Sequence, residues 1–267
     1  MIYRTWPPHP QLARHVECLW YLHKHTVAGA PPDRILPDGC MELVFNLRTP
    51  FSQADATGAF VRQPPAILVG QLSRFVLLRP AAEVEVLAAR FKPAGAHALF
   101  RVDLDELTDR YVALDELGRN WRELAGRIGQ AATLAARVRV LEAGLLRLLP
   151  HHSPAGARAA AALDLLHTAE ASPRIASVAC TLGISARQLE RAFRRAVGLA
   201  PKHYSRLVRF RRMLGALDRA DPQWADLAAR AGYSDQPHLV REFREFAGLA
   251  PRACLAEQTP FAAALLD

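Results

Sequence analysis

The sequence predicts an α+β protein. A β-rich sandwich or barrel-like domain with accessory helices spans residues 1–150, and a linker spans residues 151–156. An all-α domain of two helix-turn-helix modules joined by a long helix then fills residues 157–267. Three observations carry this reading. Prolines and short alternating apolar runs dominate up to about residue 104, the pattern of strands and turns. Apolar residues three and four apart take over in the middle of the chain. One stretch of about thirty residues near the C-terminus then occurs twice.

The first strand signal follows the turn Leu36-Pro37-Asp38-Gly39-Cys40, where Asp-Gly is the strongest local cue. In Met41 to Leu47, residues Met41, Leu43, Phe45 and Leu47 alternate onto one face. That alternation is expected to turn Glu42, with Val44 and Asn46, toward solvent in preference to a ligand pocket. Further strands are predicted at Ala66 to Gly70, Arg74 to Leu78 and Val84 to Phe91. A small antiparallel barrel or sandwich of this kind has room for a small ligand. The reactive side chains here are His15, Cys18, His23, Cys40, Glu42 and His97. None stands at metal-ligand or triad spacing, so no catalytic residue, metal site or cofactor is expected, and effector-binding residues are left unassigned.

Helices are predicted over Trp121 to Ile128 and Ala131 to Leu149. The second bears the stripe Leu134, Val138, Leu141, Leu145 and Leu148, expected to dock on the β-rich domain in preference to pairing with a second copy. Pro150 to Gly156 reads as a linker, with His151 and His152 solvated. A helix is expected to resume over Ala157 to Glu170.

The duplicated stretch runs from Ser172 to Pro201 and from Asp221 to Pro251, the second copy being one residue longer. Ser172-Pro173 and Asp221-Pro222 have the form of an N-cap followed by proline at the first helical position. Gly183 and Gly232 supply tight turns. Ser185 with Gln188 forms a capping box, and Ser234 or Asp235 caps the equivalent helix of the second copy. Helix, glycine turn and capped helix are the elements of helix-turn-helix. Leu189, Ala192, Phe193 and Ala196 should pack inward, as should Leu239, Phe243 and Phe246. Between the copies Pro201 to Leu217 reads as one helix, with Tyr204, Leu207, Val208, Phe210, Met213 and Leu214 as its apolar contacts.

Charge distribution points to the partner. The net charge is +8 with a pI near 9.8, and between Arg174 and Arg212 the only acid is Glu190. A mixed solvated face would alternate signs, so this block reads as a phosphate footprint for double-stranded DNA. Arginine reads guanine and glutamine reads adenine in the major groove. Arg187, Arg191 and Arg241 are therefore expected base contacts. Arg194, Arg195, Arg209, Arg212 and Arg244 are expected phosphate contacts.

Ser185-Ala186-Arg187-Gln188-Leu189-Glu190-Arg191-Ala192-Phe193, the two Gly-Leu-Ala-Pro ends and Gly232-Tyr233-Ser234-Asp235-Gln236-Pro237-His238-Leu239 resemble the DNA-binding domain of the AraC/XylS transcription regulators. The resemblance covers about residues 157–256. It implies a bacterial, sequence-specific activator or repressor whose recognition helices enter successive major grooves, and it adds Glu190, Gln236 and Val240 to the expected base-facing set, in which His238 is also counted. Leu36 to Phe45, Gly70 and Arg90-Phe91-Lys92-Pro93 are similar to a sensor domain attached to some members. From that similarity a small effector or dimerisation is expected to modulate DNA binding, with RNA polymerase and a second copy of the chain left open as partners.

Other classes are bounded by composition. No apolar stretch approaches a membrane span and the N-terminus lacks a signal-peptide pattern, so the expected location is the cytoplasm. Cys18, Cys40, Cys180 and Cys254 are scattered, without a C-x-x-C pair. The alternative reading is a self-methylating alkylation-repair regulator with a reactive cysteine, and it requires one of these thiols to be activated.

Overall fold

The structure, a computed structural model, describes residues 1–27, 29–100, 102–149, 154–168, 173–216, 228 and 231–257. Its β-rich part is a pair of stacked antiparallel sheets. The larger has the strand order β1 (Ile2–Trp6), β2 (Val16–His25), β9 (Glu83–Phe91), β4 (Met41–Asn46), β7 (Ala66–Val69), β10 (Tyr111–Ala113). The smaller runs β3 (Asp33–Ile35), β8 (Val76–Arg79), β5 (Ser52–Ala54), β6 (Phe60–Arg62). The four strands read from sequence are present within a residue or two. β2, the longest strand, was missed: its Trp20, Tyr21 and Leu22 are consecutive buried residues and give no alternation.

The large sheet is buried on both faces, and this changes how its sequence should be read. Met41, Leu43 and Phe45 of β4 pack with Leu87, Ala89 and Phe91 of β9 against α2 (Arg119–Gln130) and α3 (Leu134–Leu148). Leu141 and Leu145 of α3 are fully buried in that cluster, so the apolar stripe docks on its own domain as expected. The opposite face carries Trp20, Leu22, Val84, Val86 and Ala88, which meet Phe51, Ile35 and Leu78 of the small sheet. Glu42 and Val44 lie on this second face. The expectation that Glu42 meets solvent is therefore overturned: its side chain is 15% exposed and lines a cavity between the sheets.

After a short helix α1 (Ala96–Leu99) and a 3-10 turn at Leu104–Leu107, the chain passes through α2 and α3 into the helical region. α4 spans Pro154–Thr168, so Pro154 begins the helix that the sequence reading delayed to Ala157. Proline is tolerated in a first turn, where its missing N–H has no intrahelical partner to lose. α5 (Ile175–Thr181) starts later than expected, with Arg174 as N-cap and Pro173 before the helix. Ser172, Asp221, Pro222 and the linker histidines lie outside the described residues. α6 (Ala186–Val197), α7 (Pro201–Ala216), α8 (Gln236–Ala247) and α9 (Pro251–Ala256) complete the described helices.

One core serves all of the helical region. Leu163 and Leu166 of α4 meet Leu189, Phe193 and Ala196 of α6, and Phe210 of α7 packs edge-on against Phe243 and tilted against Phe246 of α8, at 4.9 and 5.0 Å. Leu36 of the β-rich part is buried in the same cluster. The two parts of the chain therefore share packing and do not hang on a free linker.

Candidate nucleic-acid interface and ligand cavity

α6 is capped as its sequence indicates. Ser185 Oγ accepts from the Gln188 N–H at 3.2 Å, and Gln188 Oε1 accepts from the Ser185 N–H at 2.9 Å. Two orphan donors of the helix start are thereby satisfied. Leu189, Ala192, Phe193 and Ala196 are buried as expected. Arg187, Glu190, Arg191 and Arg194 are all exposed on the other side. Glu190 and Arg194 form an (i, i+4) pair at 3.1 Å, while Arg187 and Arg191 have no ion-pair partner among the described residues.

α8 repeats the geometry with Asp235 as N-cap, whose carboxylate accepts from the His238 N–H at 2.6 Å, and with proline in the first turn. Gln236, Arg241 and Arg244 are exposed, and Val240 is half-buried. His238 is held from two sides. Its Nδ1 lies 3.1 Å from Ser234 Oγ and its Nε2 lies 3.6 Å from Glu242, with the ring edge-on to Tyr233.

Glu242 is a feature that sequence reasoning passed over. It is buried at 2% exposure and accepts from Arg206 Nε at 2.8 Å and Arg209 Nη2 at 2.5 Å, both from α7. Arg206 also pairs with Glu245, and this hydrogen bonding holds the Glu245 carboxyl below its ordinary range. Arg209 lies over the Tyr233 ring at 4.7 Å and is only 13% exposed. The acids at positions 242 and 245, spaced (i, i+3) on the helix face that meets α7, were the available signal. The expected phosphate contacts thus divide. Arg194 and Arg244 face outward, and Arg209 is occupied within the fold. Arg212 donates to the His167 carbonyl at 2.7 Å, and Arg195 pairs with Asp103 of the β-rich part at 2.8 Å.

Both recognition helices are gripped at their C-terminal ends by the β-rich part. Gly198 ends α6 at φ 93°, where its carbonyl accepts from Thr108 Oγ1 at 2.5 Å. Gly248 ends α8 at φ 71° against Phe75, whose N–H donates to the Phe246 carbonyl at 2.8 Å. A Cβ on Gly248 would fall 2.4 Å from the Phe75 ring. Only glycine suits both the left-handed backbone and the close approach. α7 is held as well, since Arg211 Nη1 donates to the Asp38 carbonyl at 2.9 Å and Tyr204 packs on Gly39.

The Asp38–Cys40 turn has a second neighbour. It closes a cavity of about 80 Å³ between the two sheets, walled by Trp20, Val44, Phe51, Ile67 and Val76. Glu42 lines it, and β-sheet register aligns Glu42 with Arg90 and Cys18 across three strands behind that wall. Arg90, 4% exposed, bonds Asp38 and stands 3.6 Å from Glu17 and 3.8 Å from Glu42. Burial, opposed by Arg90 and the nearby Trp20 and reinforced by Asp38 and Glu17, pushes the Glu42 carboxyl up to about 7. Burial also raises the Cys18 thiol to about 11 and the Cys40 thiol well above its usual range. Far from this site, His23, His25 and Glu83 bring ligand atoms within 4.8 Å of one another through β2–β9 pairing. His23 already bonds Glu83 at 3.2 Å, so the trio reads as a surface polar cluster.

The geometry defines a helix-turn-helix DNA-binding protein with a β-sandwich attached. Residues 178–257 match the family described as a helix-turn-helix domain, and residues 4–113 match a domain of unknown function, DUF6597. The C-terminal region is thus a helix-turn-helix domain. No curated protein matches the chain. Among solved structures, an AraC-type transcriptional regulator from Chromobacterium violaceum is similar at 25% identity, over 39% of this chain and 95% of that one, with a TM-score of 0.36. ToxT from Vibrio cholerae O395 aligns at 8% identity over 90% of this chain and 98% of its own, with a TM-score of 0.47. Unsaturated fatty acid bound ToxT aligns at 11% identity over 90% and 96%, also at 0.47. No helix among the described residues is long and apolar enough to cross a membrane.

Proposed function

We propose that α6 and α8 enter successive major grooves on one side of a DNA duplex, held at fixed separation by α7. The observation that carries this is the outward row of arginines without ion-pair partners among the described residues, Arg187 and Arg191 on α6 and Arg241 on α8. These three, with Gln236, read bases, while Arg194 and Arg244 hold phosphates. Glu190 and Val240 flank the base-facing set. His238, Arg209 and Arg212 serve the fold in this reading, and Arg195 serves the seam between the two parts. Selection of bound duplexes from a random pool tests it. The expected product has two preferred blocks about one helical turn apart, roughly 10 base pairs. A single short block would mean that only one helix reads sequence.

The cavity is proposed as the effector site. Its wall is continuous with the turn that touches α7, so a ligand that moves Asp38 or Gly39 acts on the connector between the recognition helices. We read the chain as a regulator without catalysis. Thiols kept protonated by burial are weak nucleophiles, which opposes the alkyl-acceptor alternative at Cys18 and Cys40. Mass spectrometry after exposure to a methyl donor or methylated DNA should show no stoichiometric transfer to either.

A further inference from the structure

We propose that the cavity takes a small apolar amine, whose ammonium is received at Glu42 beside Asp38 and whose hydrocarbon body lies along Trp20, Phe51 and Ile67. This rests on the reading of the cavity as the effector site and adds the chemical class of the ligand. The charge around Glu42 is lopsided: Asp38 and Glu42 line the cavity, Arg90 lies buried behind them, and the half-exposed Glu17 adds a third carboxylate to that one guanidinium. Arg90 is committed to Asp38, and Glu42 is left at 3.8 Å, beyond hydrogen-bond distance. The Trp20 indole N–H is aimed at the same carboxylate and lowers its pKa, yet it is buried and closes no hydrogen bond of ordinary geometry among the described residues. A third lining carboxylate, Asp109, is already satisfied by the Ser73 N–H at 2.7 Å and Oγ at 2.5 Å. Arg110, the basic group that does line the cavity, is exposed.

A carboxylate ligand would therefore enter a region already in excess of negative charge, with its one buried cation shared. An ammonium would supply positive charge and three donors to a carboxylate whose described neighbours, Arg90 at 3.8 Å and the Trp20 indole, leave it without a hydrogen bond of ordinary geometry. The wall around that carboxylate is apolar, so a compact alkyl or aryl body completes the fit. Ligand binding must also keep Glu42 ionised. The groups facing it are Arg90, Asp38, Glu17, Trp20 and the neutral Cys18, and together with burial they leave its carboxyl near 7. Amine affinity should consequently rise between pH 6 and pH 8.

The experiment is calorimetric titration of the full chain with butylamine, hexylamine, benzylamine and phenethylamine, each beside the carboxylate and the alcohol of the same skeleton. The expected result is that at least one amine binds about tenfold or more tighter than its matched acid and alcohol, as a charge-assisted contact provides. Glu42→Gln should abolish that preference and its pH dependence, with folding of the variant verified by its thermal transition and DNA binding. Tighter binding of an acid or alcohol, or amine binding unchanged in Glu42→Gln, overturns the ligand class and leaves the cavity as an effector site. No binding by any of the compounds overturns both readings.

Discussion

The two recognition helices share one syntax and differ in what they do with charge. In register, Ala192 and Arg195 of α6 stand where Glu242 and Glu245 of α8 stand. Ala192 is buried among the apolar contacts of the first module, while Glu242 is buried beneath Arg206 and Arg209. The first module therefore leaves Arg187 and Arg191 without an ion-pair partner among the described residues, while the second turns Arg206 and Arg209 of α7 inward as anchors. Similar folds built from duplicated sequence can thus carry unequal parts of a binding surface. A count of basic residues does not reveal which part is which.

The largest test of that contrast is Glu242→Ala. It leaves Arg206, Arg209 and His238 without the carboxylate between them, and is expected to cost about 3–5 kcal/mol of stability. Thermal denaturation reads this, and a loss below about 1 kcal/mol would show that the network is a surface decoration. Next in size, Arg187→Ala and Arg191→Ala should each weaken binding to the selected DNA by about 1–3 kcal/mol and relax preference at one position. Equal losses on random DNA would reassign them to phosphates.

Salt dependence separates the remaining arginines. Arg194→Ala and Arg244→Ala should each lower the slope of log affinity against log salt by about 1. Arg209→Ala should leave that slope unchanged while lowering the melting temperature. If Arg209→Ala lowers the slope instead, the division between the modules is wrong. The smallest expected effect lies in the β-rich part. Glu42 is raised from its ordinary 4.5 to about 7, so the folded state binds more protons than the unfolded state between those values. Stability conferred by this group is therefore lost as pH rises from about 4.5 to 7 and is flat above. Glu42→Gln should match the parent at pH 4.5 and exceed it at pH 8 by about 1–3 kcal/mol, read as a higher melting temperature at the upper pH.

Much of the DNA-binding half was legible because its signals are local. Ser185 with Gln188, Asp235 ahead of Pro237, and the glycines at φ 93° and 71° each act within a few residues of their own helix. The inward positions Leu189, Phe193, Leu239 and Phe243 follow from helical spacing alone. The pairing of Arg209 was not legible because its partner, Glu242, is 33 residues away and becomes a neighbour only when α7 packs on α8. Glu42 was misplaced because alternation identifies two faces of a strand without saying that both are covered. β2 was missed for the same reason.

By itself the sequence determined the order of elements, the duplicated modules, their caps and the outward arginines of α6, because each depends on contacts within one or two turns of chain. Tertiary structure decided which arginines are free, which face of β4 meets a cavity, and that the β-rich part grips Gly198 and Gly248 at the ends of both recognition helices. Those outcomes depend on distant segments meeting in space, where burial and pairing set the charge that remains available.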